Sequence, residues 1–135
     1  MAENIFLEVV TPGASVISEE AEIVMAPGSE GEFGVLTGHT TFLTSLKLGA
    51  LRYKDASGKE RMLFVNGGFA EVLPNKVTVL AESAERRCNI DADRARSAKE
   101  RAEKRLADSS EEIDFARADA ALRRAVQRLA VIETR

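Results

Sequence analysis

The chain has 135 residues and a mass of 14.7 kDa, with 44% hydrophobic and 30% charged residues. This suits one packed domain, or one small domain with an appendage, and argues against a disordered chain. Its longest uncharged apolar run falls far short of the ~18 residues a membrane-spanning helix needs, and Met1-Ala2-Glu3-Asn4 opens no basic-then-apolar block. Neither membrane insertion nor a secretory signal is therefore expected, and a cytoplasmic location is. One cysteine (Cys88) and one histidine (His39) exclude an intramolecular disulfide, a multi-cysteine zinc site and a histidine-pair metal site, so no metal centre is expected.

The net charge of -3 conceals an asymmetry: residues 1–85 hold 6 basic and 12 acidic side chains, residues 86–135 hold 13 and 10. All 9 glycines and all 3 prolines fall in the first part, and 11 alanines in the second. Glycine and proline punctuate turns, while alanine is the strongest helix former. The sequence therefore predicts a strand-rich domain over 1–85 and a helical one over 86–135, joined at the short polar stretch Ser83-Ala84-Glu85-Arg86-Arg87.

Over the first domain, Ile5, Leu7 and Val9 alternate with Phe6 and Glu8, the period of a half-buried strand. Ile23 and Met25, Leu51 and Tyr53, Met62 and Phe64, and Val77 and Val79 repeat the pattern. Turn signals fall at Pro12-Gly13, Pro27-Gly28, Ser57-Gly58, Gly67-Gly68 and Pro74-Asn75. Short strands at such spacing favour an antiparallel sandwich or flattened barrel over βαβ units.

The second domain reads as two helices, about Asp91–Leu106 and about Glu111–Ile132, broken at Asp108-Ser109-Ser110. Asn89 or Asp91 can cap the first. Ala95, Ala98, Ala102 and Leu106 on one helix face Phe115, Ala118, Leu122, Ala125, Leu129 and Ile132 on the other, as an antiparallel hairpin with a small-residue seam. Alanine buries little surface, and at about 25 cal/mol per Å² such a seam gains little. Helices that persist while their docking stays negotiable follow from this; a permanently docked hairpin is the plainer alternative.

Few residues offer chemistry. Gly28-Ser29-Glu30-Gly31-Glu32-Phe33-Gly34 lacks the Lys-Ser/Thr ending of a phosphate loop, and its carboxylates would repel phosphate, so it reads as an acidic exposed turn able to dock a partner. His39 has no sequence-local partner and reads as a structural or interface histidine. Cys88, beside Arg86 and Arg87, reads as a passive thiol. Asn66-Gly67-Gly68-Phe69 reads as a hairpin turn or bulge. Arg94, Arg101 and Arg105 share one helical face, and Arg117, Arg124 and Arg128 repeat the same spacing. These forks can converge on a polyphosphate or an acidic protein surface, or be a solvated face balanced by Glu100, Glu103 and Asp119. Nucleic acid is not expected, since the chain is acidic and offers no aromatic platform. A nucleotide sensor remains a competing reading; a small hydrolase ranks last for want of a nucleophile–base pair.

Five blocks in order carry a resemblance: Gly28-Ser29-Glu30-Gly31-Glu32-Phe33-Gly34-Val35-Leu36; Gly38-His39 with Leu43-Thr44-Ser45-Leu46-Lys47-Leu48-Gly49; Val65-Asn66-Gly67-Gly68-Phe69-Ala70-Glu71-Val72; Val77-Thr78-Val79-Leu80-Ala81-Glu82; and Ile90-Asp91-Ala92-Asp93-Arg94-Ala95. With them the chain closely resembles the ε subunits of bacterial F-type ATP synthases over nearly its whole length. Thr41 stands where that family commonly has proline. The resemblance implies a ten-stranded antiparallel β-sandwich followed by a two-helix hairpin, in a non-catalytic subunit of the central stalk. It implies partners in the γ subunit and the c-ring, with α and β subunits added when the hairpin is extended, and a peripheral place at the cytoplasmic face of the bacterial inner membrane. Ser29, Glu30, Gly31 and Glu32 would meet the c-ring and His39 the γ subunit. Arg117, Arg123, Arg124 and Arg128 would meet β in an inhibitory extended state. No cofactor is required, but ATP is a possible regulatory ligand at Ile90, Asp91, Arg94 and Ala95, supported by Glu85, Arg101, Arg124 and Arg128. Asp91 is equally well a helix cap, and both readings stay open at this point.

Overall fold

The computed structural model describes residues 4–38, 40–108 and 114–133. The chain divides into two units, Met1–Arg87 and Cys88–Arg135.

Nine strands form in the first unit among the described residues: β1 Ile5–Thr11, β2 Ala14–Gly28, β3 Gly31–Val35, β4 Phe42–Ser45, β5 Gly49–Asp55, β6 Glu60–Asn66, β7 Phe69–Leu73, β8 Lys76–Leu80 and β9 Ser83–Arg86. Ten were implied; Leu46 contributes only an isolated bridge to Gly28. The strands follow one hydrogen-bonded path, β4-β7-β8-β1-β2-β5-β6-β9, with β3 also on β2. Folding this path over itself encloses Ile5, Leu7 and Val9 with Leu51, Tyr53, Leu63, Val65, Val72, Val77 and Val79 in one core. The sandwich is not wholly antiparallel, because β1 runs parallel to β8, from Phe6 opposite Lys76 to Val10 opposite Leu80. These two strands are joined through most of the sandwich rather than by a hairpin, and a long connection permits the parallel approach.

β2 holds the layers together. Its first half pairs with β1 as far as Ala21 opposite Ile5. Its second half pairs with β5 through Met25 and with β3 through Gly28. A register shift between Ala21 and Ile23 inserts one residue, and a one-residue slip exchanges the faces of a strand. Ile17 and Ala21 point inward before the shift, Val24 and Ala26 after it. Ile23 and Met25, which the alternation singled out, therefore lie on the less buried face. In β6 the sandwich core takes Leu63 and Val65, while Phe64 is equally buried at the opposite parity and Met62 is half-buried; the run Met62-Leu63-Phe64-Val65 is apolar at both parities, so period alone does not choose the inward face.

Two turns differ from expectation. Pro27 and Gly28 are buried strand residues, and the chain reverses at Ser29-Glu30. Gly67 and Gly68 adopt φ of 66° and 105°, but they cross between layers instead of closing a hairpin, since β6 pairs with β5 and β9 while β7 pairs with β4 and β8. A Cβ on Gly68 would stand 2.0 Å from the Leu80 carbonyl oxygen, so glycine is required by both conformation and space.

The β5–β6 turn is built on Asp55. Its carboxylate accepts from the Ser57 hydroxyl at 2.7 Å, the Ser57 and Lys59 N–H groups at 3.0 Å each, and Arg61 Nε at 3.1 Å. The Ser57 hydroxyl first, then the Lys59 amide, hold its pKa down from 3.8 to about 2. Beside it, burial and then donation to the Glu19 carboxylate push the Tyr53 phenol above its ordinary 10.0.

In the second unit a 3₁₀ turn over Arg87–Asn89 precedes α1, Ala92–Ala107, and α2, Phe115–Glu133. Asp91 Oδ1 accepts the Arg94 N–H at 3.1 Å and caps α1. α2 begins four residues later than its expected start at Glu111, which lies outside the described residues with Ser109 and Ser110. Asp114 Oδ1 accepts the Arg117 N–H at 3.1 Å and performs the same capping role there. The helices pack on each other, with Ala95 and Ala102 of α1 and Ala118 and Ala125 of α2 at 4% exposure or less. Leu122, Leu129 and Ile132 are half-buried, and Phe115, at the head of the expected seam, is exposed. Val131 is buried although it lies off that seam.

Because the folded carboxyl of Asp55 titrates below the unfolded one, its contribution is present above pH 3.8 and is lost as pH falls toward about 2. Tyr53 is the only tyrosine and there is no tryptophan, so near-ultraviolet circular dichroism of Tyr53 follows this domain. Asp55→Ala should lower its thermal midpoint at pH 7. The variant should also lose less stability than the wild type between pH 4 and pH 2.

Candidate functional site

The β2–β3 hairpin presents Ser29, Glu30, Gly31 and Glu32. All four are exposed, yet they are not equivalent. Ser29 Oγ lies 2.6 Å from Ser45 Oγ, and its N–H donates to the Ser45 carbonyl at 3.0 Å. Glu32 is engaged by Arg52, Nη2 to Oε1 at 2.6 Å. Glu30, between them, projects from the reversal itself. Gly31 has a φ of 133°, and a Cβ on Gly28 would stand 2.7 Å from the Gly31 carbonyl oxygen. The hairpin is thus a shaped acidic tip with its flanks tied down.

A second surface was not singled out by sequence. Leu43 of β4, Phe69 of β7 and Leu80 of β8 are 70%, 56% and 54% exposed. Leu43 stands opposite Glu71, Glu71 opposite Thr78, and Phe69 opposite Leu80. The five side chains line one shallow recess on the outer face of the sheet. Isolated exposed apolar residues are ordinary, but three large ones grouped across neighbouring strands mark a contact surface. The signal was an apolar residue at outward parity in each strand, and it becomes readable only once β4, β7 and β8 are known to be adjacent. His39 lies outside the described residues.

On the helices, Arg94 and Arg101 directly precede the buried Ala95 and Ala102, and Arg117 and Arg124 directly precede the buried Ala118 and Ala125. Equal offsets from the two seams of a helical hairpin fall on the same side of it, since the pair is related by an approximate two-fold axis. Arg105 and Arg128 lie near the same flanks, three residues past Ala102 and Ala125. Arg94, Arg101 and Arg117 are exposed, while Arg124 and Arg128 are half-exposed. Arg123 is held by Asp119 at 3.0 Å and points from a different position on α2. Ala95 does not offer its side chain to a ligand: it is buried in the seam, with its N–H bonded to the Asp91 carbonyl. Ile90 is half-buried, Asp91 is exposed, and Glu85 is half-buried on β9, opposite Phe64. Cys88 is exposed. Among the described residues no three His, Cys, Asp or Glu side chains gather as metal ligands, and no helix is long and apolar enough to cross a membrane.

Two family models match the chain: ATP synthase, Delta/Epsilon chain, beta-sandwich domain over residues 4–87, and the corresponding long alpha-helix domain over 89–133. The chain is 80% identical over 135 residues to the ATP synthase epsilon chain of Desulforapulum autotrophicum, covering 100% of both. It is 59% identical over 131 residues to that of Nitratidesulfovibrio vulgaris, covering 97% of both. Among solved structures it resembles a chain of the Euglena gracilis mitochondrial ATP synthase (OSCP/F1/c-ring), with a TM-score of 0.83 at 24% identity over 96% of this chain and 82% of that one. A Tetrahymena thermophila mitochondrial ATP synthase central stalk/c-ring chain gives 0.59 at 13%, over 97% and 98%.

Asparagine caps a helix as well as aspartate does. Asp91→Asn should therefore leave the stability of α1 unchanged, while Asp91→Ala should cost about 1 kcal/mol. Thermal melts of the full chain followed by helical circular dichroism check both.

Proposed function

Because the chain belongs to the ATP synthase delta/epsilon family, as an epsilon chain and so an accessory subunit that is not itself the catalyst, we propose that it is the rotor element joining the γ subunit to the c-ring. The observation that carries this reading is the grouping of Leu43, Phe69 and Leu80 on the outer face of β4, β7 and β8. Such a face fits a stable apolar contact with the shaft, the γ subunit. The acidic tip at Ser29–Glu32 fits a different partner, the polar loops of the ring, through Glu30 in particular. Charged contacts at an exposed tip select the partner and its register more than they add affinity. His39, close in sequence to β4, is assigned to the γ side. The complex would hold the chain peripherally at the cytoplasmic face of the bacterial inner membrane.

Burial of a large apolar side chain contributes about 1.5–3 kcal/mol. Leu43→Asp and Phe69→Asp should each weaken binding of purified γ by roughly 10–100-fold in a titration, with the strand content of the chain unchanged. Binding at wild-type strength by both variants would remove the reading.

A second reading concerns regulation, and rests on the arginines gathered to one side of the hairpin. We infer that Arg94, Arg101, Arg124 and Arg128 hold the phosphates of ATP, with Asp91 accepting from the base or ribose. In an extended state Arg117, Arg124 and Arg128 meet acidic segments of β and restrain ATP hydrolysis. Arg123 joins them only by giving up Asp119. The Ala seam makes the exchange feasible, because intact helices with little area between them are separated from other packings by a few kcal/mol. A charged hydrogen bond contributes about 1.5–3 kcal/mol, so Arg94→Ala or Arg124→Ala should weaken ATP binding roughly 10–100-fold by calorimetry. Absence of any heat from the wild type with millimolar ATP would exclude the ligand.

A further inference from the structure

Resting on the rotor reading, we propose that Ser45 is a positioning residue: together with Leu46 it latches the acidic hairpin to β4, so that the tip facing the ring and the apolar face meeting the shaft move as one body. On the outer side, Ser45 Oγ and Ser29 Oγ are 2.6 Å apart, and the Ser29 N–H donates to the Ser45 carbonyl at 3.0 Å. Leu46 bridges Gly28, and the Lys47 N–H donates to the Pro27 carbonyl at 3.0 Å. The Leu46 N–H donates to the Gly68 carbonyl at 2.8 Å, one residue before Phe69. On the inner side the Phe33 and Phe42 rings meet edge to face, with centroids 5.2 Å apart and planes at 76°. β3 and β4 are not neighbours in the sheet, so these contacts link the hairpin to the β4 segment outside the strand ladder.

The consequence is mechanical. A two-residue reversal carrying Glu30 would bend under a lateral load if only its own ladder held it. With Ser29 fastened to Ser45, the load passes directly into β4, where Ser45 stands opposite Phe69 and Leu43 lies two residues away on the same face. Densely packed elements transmit strain instead of absorbing it.

The test uses the full chain assembled with the rest of its synthase. The variants are Ser45→Val, Ser45→Thr, and the pair Ser29→Cys with Ser45→Cys in a Cys88→Ser background. Three quantities are read: affinity for purified γ, amide exchange at Ser29 and Glu30, and protons pumped per ATP hydrolysed. Loss of one hydrogen bond should speed exchange at Ser29 and Glu30 by roughly 3–10-fold in Ser45→Val, with γ affinity held within about twofold. Pumping per ATP should fall, Ser45→Thr should restore it, and the cysteine pair should pump more per ATP when oxidised than when reduced. Unchanged exchange in β1 and β5 shows that Ser45→Val is folded; if it does not fold, the cysteine pair decides alone. Wild-type coupling in a folded Ser45→Val variant, or equal coupling by the oxidised and reduced cysteine pair, overturns the latch while leaving the rotor reading intact. A wild-type chain that neither binds γ nor restores coupling overturns the rotor reading and the latch together.

Discussion

The constraint on which the sandwich depends is the double membership of β2. One strand of 15 residues serves β1 with its first half and β5 and β3 with its second. A strand shared in this way must present its apolar side to the same core from two layers. The extra residue between Ala21 and Val24 makes that possible by exchanging the faces midway. The bulged strand then runs on into the acidic hairpin, so the feature that closes the core also aims Glu30. Buried Pro27 and Gly28 allow the close approach of the Ser45–Lys47 segment; Gly49, on the far side, has room for Pro27 and for little else.

The second unit is built on the opposite principle. Local propensity and capping support its helices, with Asp91 and Asp114 each meeting an otherwise unpaired N–H. Its buried side chains are small, Ala95, Ala102, Ala118 and Ala125 with Val131, while Leu122, Leu129 and Ile132 are only half-buried. Under the proposed function, a stiff sheet domain would carry load and a helical pair re-docked without melting would act as a switch.

Much of this architecture was legible in the sequence because glycine, proline and alanine are segregated between its two parts, and because β1, β5 and β8 alternate cleanly. What was not legible has physical causes. The inversion in β2 leaves no local mark, since Ile23, Val24, Met25 and Ala26 are apolar at both parities. β6 is ambiguous for the same reason. The parallel pairing of β1 with β8 is a property of topology, not of any segment. Asp114 was overlooked as a cap because the acidic residues before it also read as helix. The apolar face of Leu43, Phe69 and Leu80 exists only after three distant strands are laid side by side. Ala95, by contrast, was placed in a ligand site through its motif while its own spacing already put it in the seam.

The contact on which the proposed function most depends is that of the outer face of β4, β7 and β8 with the γ subunit. Hydroxyl-radical footprinting of the full chain, with and without purified γ subunit, tests it most directly. Strong protection of Leu43, Phe69 and Leu80 is expected on binding, with Phe115 and Val126 of the helices as reactive as before. Protection confined to the helices, with the three strand residues unchanged in a saturated complex, would contradict it.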